Sequence, residues 1–364
     1  MAGYPSSTAS SLGFYDREMA DSFLVLVANA GEDSISVFRL SDGWLERLGV
    51  TAELTGCSTL AVDSRRDLVY AGVKGTGEGG HAGIVALQLD RETGALEPRS
   101  RLDLPEGGMN YLALSREGTC LLGASYGGGY GISCPVIDGV VGEAVSRIRF
   151  PNLHSVLPTA DGRFVYFVSL GADLVAQYAL ADDLRLIPLE PATVDAPAGS
   201  GPRHLLMNDA QEAVYVITEF SGQVLHFARD TEAGTLELRG AANAFDPSKE
   251  LRHSRLGADP VAEHLIWGAD LHCGAGGRLL WCSERTESTL AAVSVADDGS
   301  VSAPDRFMTT EPQPRGFALS PDGAHLIAAG ERSMSVSLYA VDGDHLELLQ
   351  RADTGRGANW VRFV

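Results

Sequence analysis

Positive charge is scarce in this chain. Its 28 Lys and Arg face 48 Asp and Glu, a formal net charge of −20 over 364 residues. A field of that sign repels polyanions, which argues against nucleic acid and an anionic membrane as partners. A small anionic substrate stays open, provided that cations gather in one cleft. Long apolar runs are missing as well: none approaches the roughly 20 residues that a membrane-spanning helix needs. The five cysteines (Cys57, Cys120, Cys134, Cys273, Cys282) are scattered and contain no Cys-x-x-Cys pair. Reduced, mostly buried thiols are therefore expected. An H-E-x-x-H helix and a P-loop are absent, and no Trp-Asp dipeptide marks a WD40 interaction platform. Residues 1–20 are rich in Ser, Ala and Gly and lack both a basic start and an apolar signal core. They are expected to form a loose tail ahead of one domain over residues 21–364, and the protein is expected in the cytoplasm.

What the chain does have is repetition. Forty-two glycines and few helix-type periodic stretches point to short strands and many turns. Hydrophobic residues, at 45%, are enough for a core. A unit of roughly 45 to 50 residues recurs seven times, each opening on a short entry strand, a turn and a second strand. The fifth copy shows it best: Gly201-Pro202-Arg203-His204-Leu205-Leu206-Met207, then Ala213 to Phe220. Turns such as Ala160-Asp161-Gly162-Arg163 and Pro321-Asp322-Gly323-Ala324 supply the positive φ that a tight hairpin demands. Four antiparallel strands per unit, repeated seven times, predict an all-β, seven-bladed β-propeller. The first copy, near Phe23, lacks an entry strand, while the chain ends on Asn359-Trp360-Val361-Arg362-Phe363, which has that pattern. The C-terminal strand is therefore expected to complete the first blade and hide an open sheet edge. The longest irregular insert, about residues 243–267, carries Arg252, His253 and Arg255; it reads either as a solvated loop or as a basic flap over the channel mouth.

Two columns of positions carry polarity that core filling would not choose. The first residues of the entry strands are Ser58, Asn110, His154, Arg203, Ala269, Arg315 and Asn359. The last residues of the second strands are Ala30, Lys74, Tyr126, Leu170, Glu219, Arg285 and Glu331. Both columns lie at one end of the blades, so Lys74, Arg203, Arg285, Arg315 and His154 are expected at one mouth of the channel. Arginine suits the capture of carboxylate or phosphate. Arg203 with Glu219, and Arg315 with Glu331, share blades and can form ion pairs that fix the guanidinium groups; Arg285 and Lys74 have no carboxylate in their own repeats at these positions. Neighbouring cations lower the proton affinity of His154 and leave it a neutral general base. Glu219, paired with Arg203, is the weaker base. His204 and His272 stand one or two steps off the columns, where satisfaction within the core is the plainer reading; His272 also counts with Asn110, Tyr126 and Glu331 as a candidate substrate contact. The Gly-rich runs after Lys74 and Tyr126 open no helix and read as hairpin loops.

His154-Ser155, Gly201-Pro202-Arg203-His204, Thr218-Glu219, Ala269-Asp270-Leu271-His272, Ser283-Glu284-Arg285, Gln313-Pro314-Arg315-Gly316-Phe317 and Asn359-Trp360-Val361 resemble the seven-bladed propeller lactonase family. The resemblance covers nearly the whole propeller and is dense from His154 onward. It implies hydrolysis of a sugar 1,5-lactone, with 6-phosphogluconolactone of the pentose phosphate pathway favoured. The family also includes fungal carboxy-muconate cyclases, whose proposed His, two Arg and Glu fall by motif on His154, Arg203, Arg285 and Glu219. The first two repeats match poorly, and Met109-Asn110-Tyr111 stands where the family usually has Pro-Thr-His. A cycloisomerase acting on a polycarboxylate and a non-catalytic binding propeller are the alternatives. Arginines interleaved with Glu219 and Glu331 would repel a dication, so no metal and no cofactor are expected, and the chain is expected to act as a monomer on a small anionic molecule.

Overall fold

The computed structural model describes residues 22–75 and 80–364; the expected tail and part of the Gly-rich run after Lys74 lie outside them. Seven antiparallel sheets stand in a ring, and their innermost strands touch in sequence around it. Blade 1 closes as expected: Ala358–Phe363 pairs with Phe23–Asn29 in the register Val27↔Val361. Blades 2, 4, 5 and 7 have four strands each, whereas the outermost strand is split in two in blades 3 and 6. In blade 3 the pieces are Val140–Val141 and Ser146–Arg149. No helix among the described residues is long and apolar enough to cross a membrane.

The core is not a single mass but seven layers, one between each pair of adjacent blades. Side-chain alternation along each strand builds two layers at once. In Phe164–Ser169, Phe164, Tyr166 and Val168 face blade 5, while Val165 and Phe167 face blade 3. Each fully buried ring or aliphatic side chain contributes about 1.5–3 kcal/mol. The hairpin turns use the expected residues, with Gly162 at φ 66° and Gly323 at φ 71°. Thr159 Oγ1 accepts from Phe164 N at 3.0 Å and Ser320 Oγ from His325 N at 2.9 Å, so the two Asp-Gly turns are built alike. All five cysteines are free thiols, and four are buried.

Candidate active site

One backbone irregularity makes the site. The inner two strands of blade 4 pair Leu153 with Ser169 and then Ser155 with Val168, leaving His154 as an extra residue. Blade 5 does the same with Arg203, blade 7 with Arg315, and the closing strand of blade 1 with Asn359. In blade 6, Ala269 and Asp270 together face the single residue Ser283. Such bulges bend the strand and re-aim a side chain that the pleat would otherwise send elsewhere. The second column is set by a repeated hydrogen bond: Glu219 N donates to Gly201 O (2.7 Å), Arg285 N to Trp267 O (3.0 Å) and Glu331 N to Gln313 O (3.0 Å). Gly268 has no alternative in this crossing, since a Cβ there would lie 2.3 Å from the Thr218 carbonyl oxygen.

Glu219 is the hub. Its Oε2 takes Arg203 Nε at 2.9 Å and Arg285 Nη2 at 2.9 Å, and its Oε1 accepts from the Trp267 indole at 3.3 Å. The Arg203 and Arg285 side chains are only 1% and 2% exposed. Arg285 therefore finds its carboxylate in the neighbouring blade, not in its own repeat. It also donates to Trp267 O (3.3 Å) and Gly268 O (3.0 Å), with its guanidinium 3.9 Å from the centre of the Trp267 ring. Arg203 Nη1 bonds Ala269 O and His204 Nε2, the latter at 3.1 Å. Arg203 Nη2 and Arg285 Nη1 have no protein partner among the described residues. Arg315 is one-third exposed and pairs with Glu331 at 3.2 Å; Gln313 Nε2 holds the other carboxylate oxygen at 2.7 Å. Three guanidinium groups against two carboxylates leave one net positive charge in a chain of −20.

These charges set the proton affinities. Burial would raise the Glu219 carboxyl, but Arg285, Arg203 and Arg315 overcome it and hold it below 4.5. Burial also pulls Arg285 down to about 9, against the pull of Glu219, which leaves it charged at neutral pH. His154 is buried and falls well below 6.5, through burial first and then through Arg203, His204 and the other two arginines. Its imidazole is neutral, and its Nδ1 has no protein partner among the described residues. Tyr126 stands edge-on to the His154 ring at 5.7 Å, and Asn110 ties its amide to His154 O and Tyr126 N.

Beneath them Tyr111, His204 and Trp360 pack edge-on, with ring centres 5.2 to 5.5 Å apart. His272 is one-quarter exposed; it bonds Asp270 (3.2 Å) and stands edge-on to Phe317, with no hydrogen bond to the arginines among the described residues. Lys74 is exposed and turned elsewhere: it lies over the Gly56 turn and lines a separate cleft with His81, Arg101 and Asp103. The basic residues of the insert are held by partners within the insert itself. Arg252 and Arg255 bond Glu263, and His253 Nδ1 meets Ser254 O.

What the insert does deliver is Trp267, a site residue that the two columns do not contain. Glu284 fixes its approach, accepting from Trp267 N (2.8 Å), Thr286 N (3.0 Å) and Glu287 N (2.8 Å). A third column, two residues before each entry position, would have found both Trp267 and Gln313. Asp270 was also missed; it sits one step along the strand, beside Ala269.

A family model described as lactonase, 7-bladed beta-propeller, matches residues 24–363. The 6-phosphogluconolactonase of Klebsiella pneumoniae subsp. pneumoniae is 28% identical over 341 residues, 93% of this chain and 97% of that protein. Among solved structures, a Bacteroides fragilis protein provisionally assigned as a 6-phosphogluconolactonase superposes with a TM-score of 0.83 at 22% identity, covering 96% of this chain and 99% of that one. The Pseudomonas aeruginosa periplasmic gluconolactonase PpgL gives 0.81 at 24% identity, over 94% and 99%. At these identities the two structures speak to the fold alone. With the family model spanning almost the whole described chain, the protein belongs to the seven-bladed β-propeller lactonase family and is a lactone hydrolase.

Proposed function

We propose that the substrate is a 1,5-lactone of an acidic sugar, with 6-phosphogluconolactone the preferred member, opened to 6-phosphogluconate. The observation that carries this reading is the arginine cluster: two buried guanidinium groups share one carboxylate, and a third stands more exposed on the rim. A water molecule gives a proton to neutral His154 as its oxygen attacks the lactone carbonyl. The carbonyl oxygen becomes an oxyanion, which takes hydrogen bonds from Arg203 Nη2 and Arg285 Nη1. Collapse breaks the bond to the ring oxygen, and the His154 imidazolium returns its proton to that leaving oxygen. Arg315 holds the anionic end of the substrate. Glu219, with both oxygens occupied and its basicity lowered, acts as a clamp on the arginines and not as the base. Pre-placed donors of this kind supply about 3–4 kcal/mol of barrier reduction.

The family resemblance to 6-phosphogluconolactonases supports the phosphorylated substrate, and the same cations would accept a polycarboxylate. Side-by-side assays on 6-phosphogluconolactone and unphosphorylated gluconolactone, with wild type and His154→Ala, test the reading. Faster turnover of the phosphorylated lactone and loss of that rate in His154→Ala are expected. Equal rates on both lactones remove the phosphate assignment, a His154→Ala enzyme at the wild-type rate removes the base, and loss of diene absorbance with carboxymuconate favours cycloisomerisation instead.

A further inference from the structure

Directly behind Arg203 lies a buried chain of polar groups that the proposed reaction does not use. Asp270, 5% exposed, receives His204 Nδ1 at 2.7 Å on one oxygen and His272 Nε2 at 3.2 Å on the other. The backbone N–H of Leu271 adds a third bond, at 3.0 Å. His204 is 2% exposed, and its second nitrogen, Nε2, lies 3.1 Å from Arg203 Nη1. A guanidinium N–H can only donate, so Nε2 accepts, and Nδ1 then carries the proton that goes to Asp270. One tautomer satisfies the whole chain.

The contact between Arg203 and His204 is not what a strand normally allows. Consecutive side chains point to opposite faces, yet these two meet because Arg203 is the bulged residue between Pro202 and His204. The cost of burying a carboxylate here is considerable, and apolar residues of similar size would pack the interior at least as well. Plain packing therefore does not account for an acid with two imidazoles at this place.

Arg203 shows what the chain achieves. Its Nε is taken by Glu219 and its Nη1 by Ala269 O and His204, so among the described residues only Nη2 is left for a ligand. We infer that Asp270, acting through His204, is a positioning group that fixes the plane of the Arg203 guanidinium and so aims its one free nitrogen at the lactone oxyanion. The inference rests on the proposed function for the role of Arg203. Burial and the adjacent Arg203 hold His204 down to about 3, so it stays neutral and keeps its acceptor toward the arginine throughout the working range.

The test is a cycle with Arg203. His204→Phe with Asp270→Leu removes the polar chain while keeping the ring packed between Tyr111 and Trp360. In the wild-type background kcat should fall on the order of 10- to 100-fold, with KM within about twofold and the thermal midpoint maintained or raised. In an Arg203→Ala background the same pair should cost nothing more in kcat, because it acts through the arginine. Equal losses in both backgrounds, or a wild-type rate for the pair, overturn the inference. Should the pair not fold, His204→Gln and His204→Leu read the same point. Gln can donate to Asp270 and accept from Arg203 and should recover most of the rate, whereas a Gln enzyme as slow as the Leu one overturns the inference. An Arg203→Ala enzyme that hydrolyses lactone at full speed is a different result, since it sinks the proposed oxyanion role itself.

Discussion

Replacing Glu219 with Gln keeps the shape of the hub and removes its charge. Two guanidinium groups, 1% and 2% exposed, would then share no counter-ion within hydrogen-bonding distance. Leaving a buried charge without its partner costs about 3–5 kcal/mol. Glu219 is itself 17% exposed, and Gln can still accept one hydrogen bond, so the lower part of that range, about 3–4 kcal/mol, applies. Unfolding releases about 2.1 cal/mol/K per residue, or roughly 0.76 kcal/mol/K for this chain, so each kcal/mol moves the midpoint by about 1.3 °C. The expected loss is therefore about 4–5 °C at pH 7. Its pH dependence has a definite sign. The folded carboxyl lies below 4.5, so its stabilisation is complete above that value and is lost as pH falls through the folded one. Midpoints of both proteins, followed by calorimetry from pH 7 downward, should thus converge in acid. Equal midpoints at pH 7, or a gap that survives acidification, would refute the idea that Glu219 neutralises the two arginines.

Two further outcomes concern turnover. Because burial and the arginines hold His154 well below 6.5, kcat/KM for an unphosphorylated lactone, which has no group titrating in this range, should stay flat as pH falls through the ordinary histidine value; an acid limb centred there would show that another group is the base. Trp267→Phe keeps a ring under Arg285 and loses the 3.3 Å bond to Glu219, so kcat/KM should drop about fivefold, the equivalent of about 1 kcal/mol. Trp267→Ala should be worse, and if Phe proves as damaging as Ala, the stacked ring does not support Arg285.

Much of this architecture is legible as pattern. Seven copies of strand, turn and strand recur along the chain, and the missing entry strand near Phe23 has its counterpart at Asn359-Trp360-Val361. The two polar columns brought His154, Arg203, Glu219, Arg285, Arg315 and Glu331 to one mouth, because a propeller places equivalent positions on one ring. Lys74 shows the limit of that logic. Its backbone occupies the same position as Glu219 and Arg285, but its long, exposed side chain follows the Gly56 turn away from the cluster. Trp267 escaped for another reason: it stands two residues before the entry position, where Gly201 and Gln313 stand in blades 5 and 7, outside the two polar columns.

The amino-acid order alone determined what repeats: the alternation of apolar residues, the Asp-Gly turns and the ring closure, since each depends on neighbours a few residues apart or on a recurring unit. Only the folded ring decided which groups meet. Arg285 reaches Glu219 across a blade boundary, and His204 turns back on Arg203 through a one-residue bulge. A bulge leaves the hydrophobic alternation on either side intact, and a partner 66 residues away, as Asp270 is from His204, leaves no periodic trace. Both are products of register and closure, which the local pattern does not encode.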